Sequence, residues 1–158
     1  MNSYEKLIDE CDKENIEVTE KKFKSTAKGL WKNNKIGISS DIDTIKEKYC
    51  ILSEEYGHYK TTYGDILNQK DIRNRKQELI ARRWGYEKIC GLDKIADCIR
   101  KGAKNRYEVA ELLNVTDEYF EKTIQYLKLK YGCSAYCKGI LFIFEPNFGI
   151  ISNCKGDC

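Results

Sequence analysis

The chain has 158 residues, 41% of them hydrophobic, and a single proline, which argues against a disordered polymer and suits one domain or two small subdomains. Its 28 basic and 25 acidic residues leave a net charge of +3, which gives no strong nucleic-acid signal. The N-terminus is charged from residue 5 onward and no apolar run is long enough to span a bilayer, so neither a signal peptide nor a membrane segment is expected, and the expected location is the cytosol.

Residues 3–14 read as a short helix with Tyr4, Leu7, Ile8 and Cys11 on one side. The stretch "AKGLWKNNKIGISS" (27–40) reads as a hairpin, with "GLW" and "IGI" flanking a Lys-Asn-Asn-Lys turn. Ser39 or Ser40 is placed to cap a helix over about residues 41–60. In it Ile42, Ile45, Tyr49, Leu52 and Tyr56 recur at the spacing of a buried stripe. Residues 61–67 read as a loop or short turn. A second long helix covers about 71–90; its basic run "RNRKQELIARR" (73–83) reads as a patch for an anionic partner or, more commonly for such a run, as a solvated face or Arg82 and Arg83 stems lying over apolar surface. Three shorter helices follow at 92–101, 105–113 and 117–130, punctuated by Gly102, Asn105 and Asn114, capped at Thr116 and ended by Gly132. The run "GILFIFEPNFGII" (139–151) reads as an edge strand, or a strand and turn, broken by Pro146. The expected architecture is therefore α+β and mainly helical. Residues 1–150 would form a single domain, with a motif-bearing core at 1–90 and a helical packing segment plus strand at 91–150; 151–158 would be a flexible tail.

Eight cysteines are many for this length. Without an export signal they are expected to be reduced thiols. Cys133/Cys137 and Cys154/Cys158 are both C-x3-C pairs, a spacing that four-cysteine zinc sites use. The simpler reading packs Cys50, Cys90 and Cys98 as small apolar residues and leaves the terminal pair mobile.

The chemistry concentrates in "LSEEYGHY" (52–59), which holds the only histidine of the chain, His58. Glu54 and His58 are four residues apart, one helical turn, and share a face. Helix phase puts that face away from the stripe, toward solvent or a second layer. Zinc hydrolysis of a peptide needs three protein ligands, an open fourth position and a carboxylate that moves the proton of the attacking water. Glu54 and His58 have ligand spacing, Glu55 has the position of the base, and Gly57 leaves room for a neighbouring element. A third ligand would be Glu78, in "QELIARRW", with Asp65 as the alternative.

Four segments, "CILSEEYGHYKTTYGDIL", "RKQELIARRWGYEKICGLDKI", "YEVAELLNVTDEYFEKTIQYL" and "ILFIFEP", in that order, resemble the phage-type branch of the ImmA/IrrE metallo-endopeptidase family over about residues 4–148. The resemblance implies a zincin-like minimal core in which an edge strand can hold substrate by strand addition. It implies that Glu55 is the catalytic glutamate, His58 the second metal ligand, and Glu78 the downstream ligand in an E-x-x-A-x-x-aromatic pattern with Ala81 and Trp84. Glu54 stands where the family has the first histidine of H-E-x-x-H. Two carboxylates and one imidazole make a poorer Lewis-acid site for zinc and suit a harder ion such as manganese. The implied substrate is a helix-turn-helix repressor of a phage or mobile element, with cleavage acting as anti-repression. The alternative is an inactive zincin-like protein that regulates by binding a repressor.

"NRYEVAELLNVTDEYFEKTIQYLKLKYG" (105–132) itself resembles a helix-turn-helix, with Val109, Leu112, Leu113 and Val115 expected to pack on Phe120, Ile124 and Leu127. Its second helix opens with Asp117, Glu118 and Glu121, which phosphates would repel, so direct nucleic-acid binding is not expected.

Overall fold

The first helix, α1 (Ser3–Lys13), begins with a reciprocal cap. The Asn2 side chain accepts from the Glu5 amide at 2.9 Å and the Glu5 carboxylate accepts from the Asn2 amide at 2.9 Å. Tyr4, Leu7 and Cys11 form its buried side. This description rests on a computed structural model and covers residues 1–62 and 72–152. Asp65, Cys154, Cys158 and most of the expected 61–67 turn lie outside the described residues, as does all but the first two residues of the expected tail.

Three strands follow: β1 (Glu17–Lys21), β2 (Gly29–Lys32) and β3 (Lys35–Ser39), in sheet order β1-β3-β2. Strand β3 is central and buried through Ile36, Gly37, Ile38 and Ser39. It pairs parallel with β1 and antiparallel with β2, so the expected hairpin is present, with Asn33 in the left-handed conformation (φ 54°) at its turn. Strand β1 was not expected: four of its five residues are exposed, so it carries no apolar alternation. The motif helix α2 (Ile45–Thr61) starts four residues later than its sequence pattern suggests. Ser39 belongs to β3, and the cap is Thr44, whose hydroxyl accepts from the Glu47 amide at 3.2 Å. Ile45 is 46% exposed, so the buried face is Tyr49, Cys50, Leu52, Ser53, Tyr56 and Gly57. Helix α2 packs on α1, β2 and β3. Helix α3 (Ile72–Cys90) follows.

The chain divides into two compact units, Met1–Lys88 and Ile89–Cys158. The second holds α4 (Leu92–Arg100), α5 (Arg106–Leu113) and α6 (Asp117–Tyr131), then an antiparallel sheet of β4 (Ser134–Cys137), β5 (Ile140–Ile143) and β6 (Gly149–Ser152), with β5 central. Asn105 caps α5 and Thr116 caps α6, and Asn114 (φ 61°) closes α5. Val109, Val115, Phe120, Ile124 and Leu127 are buried as the helix-turn-helix pattern requires, but Leu112 is 52% exposed and lies on the outer face. The run 139–151 separates into β5 and β6, and β4 was not anticipated. The Phe148 ring packs edge-on to Phe120 and against Phe142 and Phe144. The described architecture is mixed α+β and mainly helical. No helix among the described residues is long and apolar enough to cross a membrane.

Cys11, Cys50, Cys90 and Cys98 are buried as small apolar residues. Cys133 is exposed beside Glu145 and Cys137 is half-buried at the end of β4.

Candidate active site

Helix α3 meets α2 along a single face. Glu78, Ala81 and Trp84 recur every three residues and so share one side of α3. Each touches a consecutive residue of α2. Glu78 reaches His58, Ala81 lies on Gly57, and Trp84 packs edge-on against Tyr56 with ring centroids 4.8 Å apart. The crossing is close because neither Gly57 nor Ala81 has bulk: a Cβ on Gly57 would stand 2.2 Å from the Ala81 carbonyl oxygen. Ala81 is fully buried at this contact. One turn before Ala81, Glu78 thereby arrives beside His58.

His58 Nε2 and Glu78 Oε2 are 3.0 Å apart. The other oxygen of Glu78 accepts from Arg82 Nε at 3.2 Å. Burial pulls the His58 pKa down, but the hydrogen bond and charge of Glu78, helped by Glu55 and Glu54, outweigh it and raise the pKa above 6.5. The same hydrogen bond, with Arg82, holds the Glu78 carboxyl below its ordinary value. Because the histidine is raised on folding, the stability it contributes is full below pH 6.5 and is lost as pH rises through its folded value. Glu78→Gln is expected to lower the His58 pKa, which NMR titration reads without ambiguity because the chain has one histidine. An unchanged value would mean that Glu78 does not govern this ring.

Glu55 lies on the other flank of the same helix, under strand β2. A Cβ on Gly29 would stand 2.8 Å from Glu55 Oε1 and 2.6 Å from Ile51 Cγ2, so the bare backbone at Gly29 makes room for the carboxylate. Burial there raises its pKa from 4.5 to about 7; His58 opposes the rise, and Glu54 and Glu78 add to it. Two residues along β2, on the same face, Trp31 stacks on His58 with ring centroids 6.3 Å apart and planes 6° from parallel. Glu54 acts through its charge on Glu55, His58 and Tyr86. The motif face is therefore covered by a second layer, β2 on one flank and α3 on the other.

Of the expected site residues, the structure joins His58 to Glu78 and sets Glu55 within their field. At 3.0 Å the His58–Glu78 contact is a direct hydrogen bond, and two donors on one tetrahedral ion with bonds of 2.0–2.1 Å would stand roughly 3.3 Å apart, so an ion would replace this bond and part the pair by a few tenths of an ångström. Among the described residues no three histidine, cysteine or acidic side chains are grouped as a metal-holding cluster. Sequence reasoning missed Gly29 and Trp31. Their signal is the two-residue period of a strand, which puts both on one face of the hairpin that precedes the motif helix. Gly29→Ala is expected to displace the Glu55 carboxylate and to slow any Glu55-dependent turnover by about 10-fold or more, with the fold kept. Steady-state rates and circular dichroism check this; an unchanged rate would mean that the tight fit at Gly29 does not control Glu55.

No family model, curated protein or solved structure matches this chain. The resemblance to the ImmA/IrrE endopeptidases therefore rests on its motifs alone.

Proposed function

We propose that this protein is a metal-dependent endopeptidase that makes site-specific cuts in a helix-turn-helix repressor of a phage or mobile element. The observation that carries the reading is the meeting of Glu78 with His58 beside Glu55, a half-buried carboxyl whose pKa is raised to about 7. His58, Glu78 and Glu54 would hold the ion, zinc or a harder cation such as manganese, with Glu54 replacing the imidazole that a two-histidine site would have. When bound, the ion would supply Lewis-acid polarisation of a peptide carbonyl and acidify water.

The chain's own residues do the rest. Glu55, with a pKa of about 7, is matched to taking a proton from the attacking water and returning it to the leaving amine near neutral pH. Among the described residues strand β2 ends its sheet, and its outer backbone edge would pair with an extended peptide next to Glu55 and His58. Incubating the protein with a helix-turn-helix repressor encoded beside it, with and without a chelator, tests the reading. Discrete fragments that disappear on chelation and return with added metal are expected; an intact repressor under all conditions contradicts it.

One observation favours a second reading. The direct His58–Glu78 pair, supported by Arg82, satisfies both groups without an ion. On that reading the scaffold binds a repressor and does not cut it, and His58→Ala leaves binding and regulation unchanged.

A further inference from the structure

We propose that Trp31 is a positioning residue that fixes the ring plane of His58 toward Glu78. The torsion that turns an imidazole about its Cβ–Cγ bond is broad and roughly two-fold, so a bond at one nitrogen does not by itself fix the plane. The stack supplies what is lacking. The indole and the imidazole are 6° from parallel at 6.3 Å, within the range of offset ring pairs. The indole is itself anchored: Trp31 Nε1 donates to the Asn33 carbonyl at 2.7 Å, and Trp31 pairs with Ile36 of the central strand. A hairpin built before the motif helix thus sets the plane of the ring, and Glu78 then receives Nε2 at 3.0 Å. Leu30, the neighbour on β2, lies on the opposite face and is 51% exposed, which makes it a control on the same strand.

The consequence for metal rests on the proposed endopeptidase reading; the orientation of the ring does not. Groups that orient a histidine ligand from outside the coordination sphere change metal affinity or activity by about 10–100-fold when removed.

The test uses the full chain and its single histidine. Proton and nitrogen-15 NMR at one fixed pH, alkaline of the His58 titration in every variant so that the ring is neutral, is recorded for wild type, Trp31→Leu, Trp31→Phe and Leu30→Ala, with circular dichroism to verify folding. In wild type one tautomer, protonated at Nε2, dominates, and the imidazole CH resonances carry the ring current of the neighbouring indole. Trp31→Leu is expected to shift both resonances and to mix the tautomers. Trp31→Phe keeps the tautomer, and it carries the test if the leucine variant does not fold. Leu30→Ala changes neither. Unmoved resonances and an unmixed tautomer in a folded Trp31→Leu overturn the proposal, as does a Trp31→Phe that loses the tautomer.

Cobalt titration gives the second arm. Affinity about 10-fold or more weaker in Trp31→Leu, and near wild type in Trp31→Phe, is expected. Equal affinity in wild type and Trp31→Leu overturns the positioning role. A wild type that binds no cobalt defeats the endopeptidase reading instead, and the NMR arm then decides the role of Trp31.

Discussion

Glu55→Gln is expected to abolish the cleavage that the endopeptidase proposal requires and, at the same time, to make the metal-free protein more stable at alkaline pH. Losing the group that moves the proton costs a factor of about 10²–10⁴ in rate. The stability effect follows from the environment of the carboxyl. Burial under β2 is the main cause that keeps it protonated up to about pH 7, against 4.5 in the unfolded chain, with His58 opposing and the Glu54 and Glu78 charges adding to burial. Between those two values the folded state binds more protons than the unfolded state, so stability falls as pH rises. The loss is complete above about pH 7 and amounts to roughly 3 kcal/mol. Glutamine does not ionise and escapes it. Denaturant unfolding at pH 8 should therefore show the variant above wild type by roughly 2–3 kcal/mol. The difference should shrink toward pH 4.5, where both side chains are neutral. Equal stability at pH 8 would mean that the carboxylate is hydrated in the folded protein and is not tuned as a base.

Gly57→Ala is the second substitution with a large expected effect. The new Cβ would stand 2.2 Å from the Ala81 carbonyl oxygen, and that neighbour is backbone, which cannot rotate away. Alanine gains up to about 1 kcal/mol over glycine inside a helix. Overpacking at a closed helix crossing costs about 1–3 kcal/mol, and more where backbone must move. The crossing therefore opens, and Glu78 leaves His58. Thermal unfolding should drop by about 5 °C or more in a chain of this size. The His58 pKa should fall, because burial persists while its largest stabilising partner recedes. An unchanged melting temperature together with an unchanged His58 titration would show that α2 and α3 do not depend on this contact.

Local signals placed most helices. The apolar side of residues 3–14, the punctuation at Gly102, Asn105 and Asn114, the cap at Thr116 and the stop at Gly132 are written in residue types, and α1, α3, α4, α5 and α6 lie within two residues of their expected bounds; the cap at Asn2 was not read from the sequence. The start of α2 was misjudged because two serines and a threonine compete within six residues, and only the pairing of Ser39 into the central strand decides for Thr44. Strands β1 and β4 carry mostly exposed or half-exposed side chains, so their strand character comes from pairing with β3 and β5, which is not local information.

The site divides the same way. Helical period put Glu54, Glu55 and His58 together, and the three-residue spacing of Glu78, Ala81 and Trp84 marked the face that meets them. The period also set that face too far from the packed side of α2. Gly57 is itself part of the packed side, and His58 follows it directly. What no period could give is the other wall. Gly29 and Trp31 reach Glu55 and His58 only because the hairpin folds over α2, a tertiary event.

On the proposed endopeptidase reading, His58 and Glu78, with Glu54, would hold a divalent ion. Metal analysis of the purified protein, loaded with zinc or manganese and freed of excess, tests it most directly when run beside His58→Ala. Stoichiometric metal in wild type and its loss in the folded variant are predicted. Wild-type protein that retains no stoichiometric metal, or a His58→Ala protein that retains as much as wild type, would contradict it.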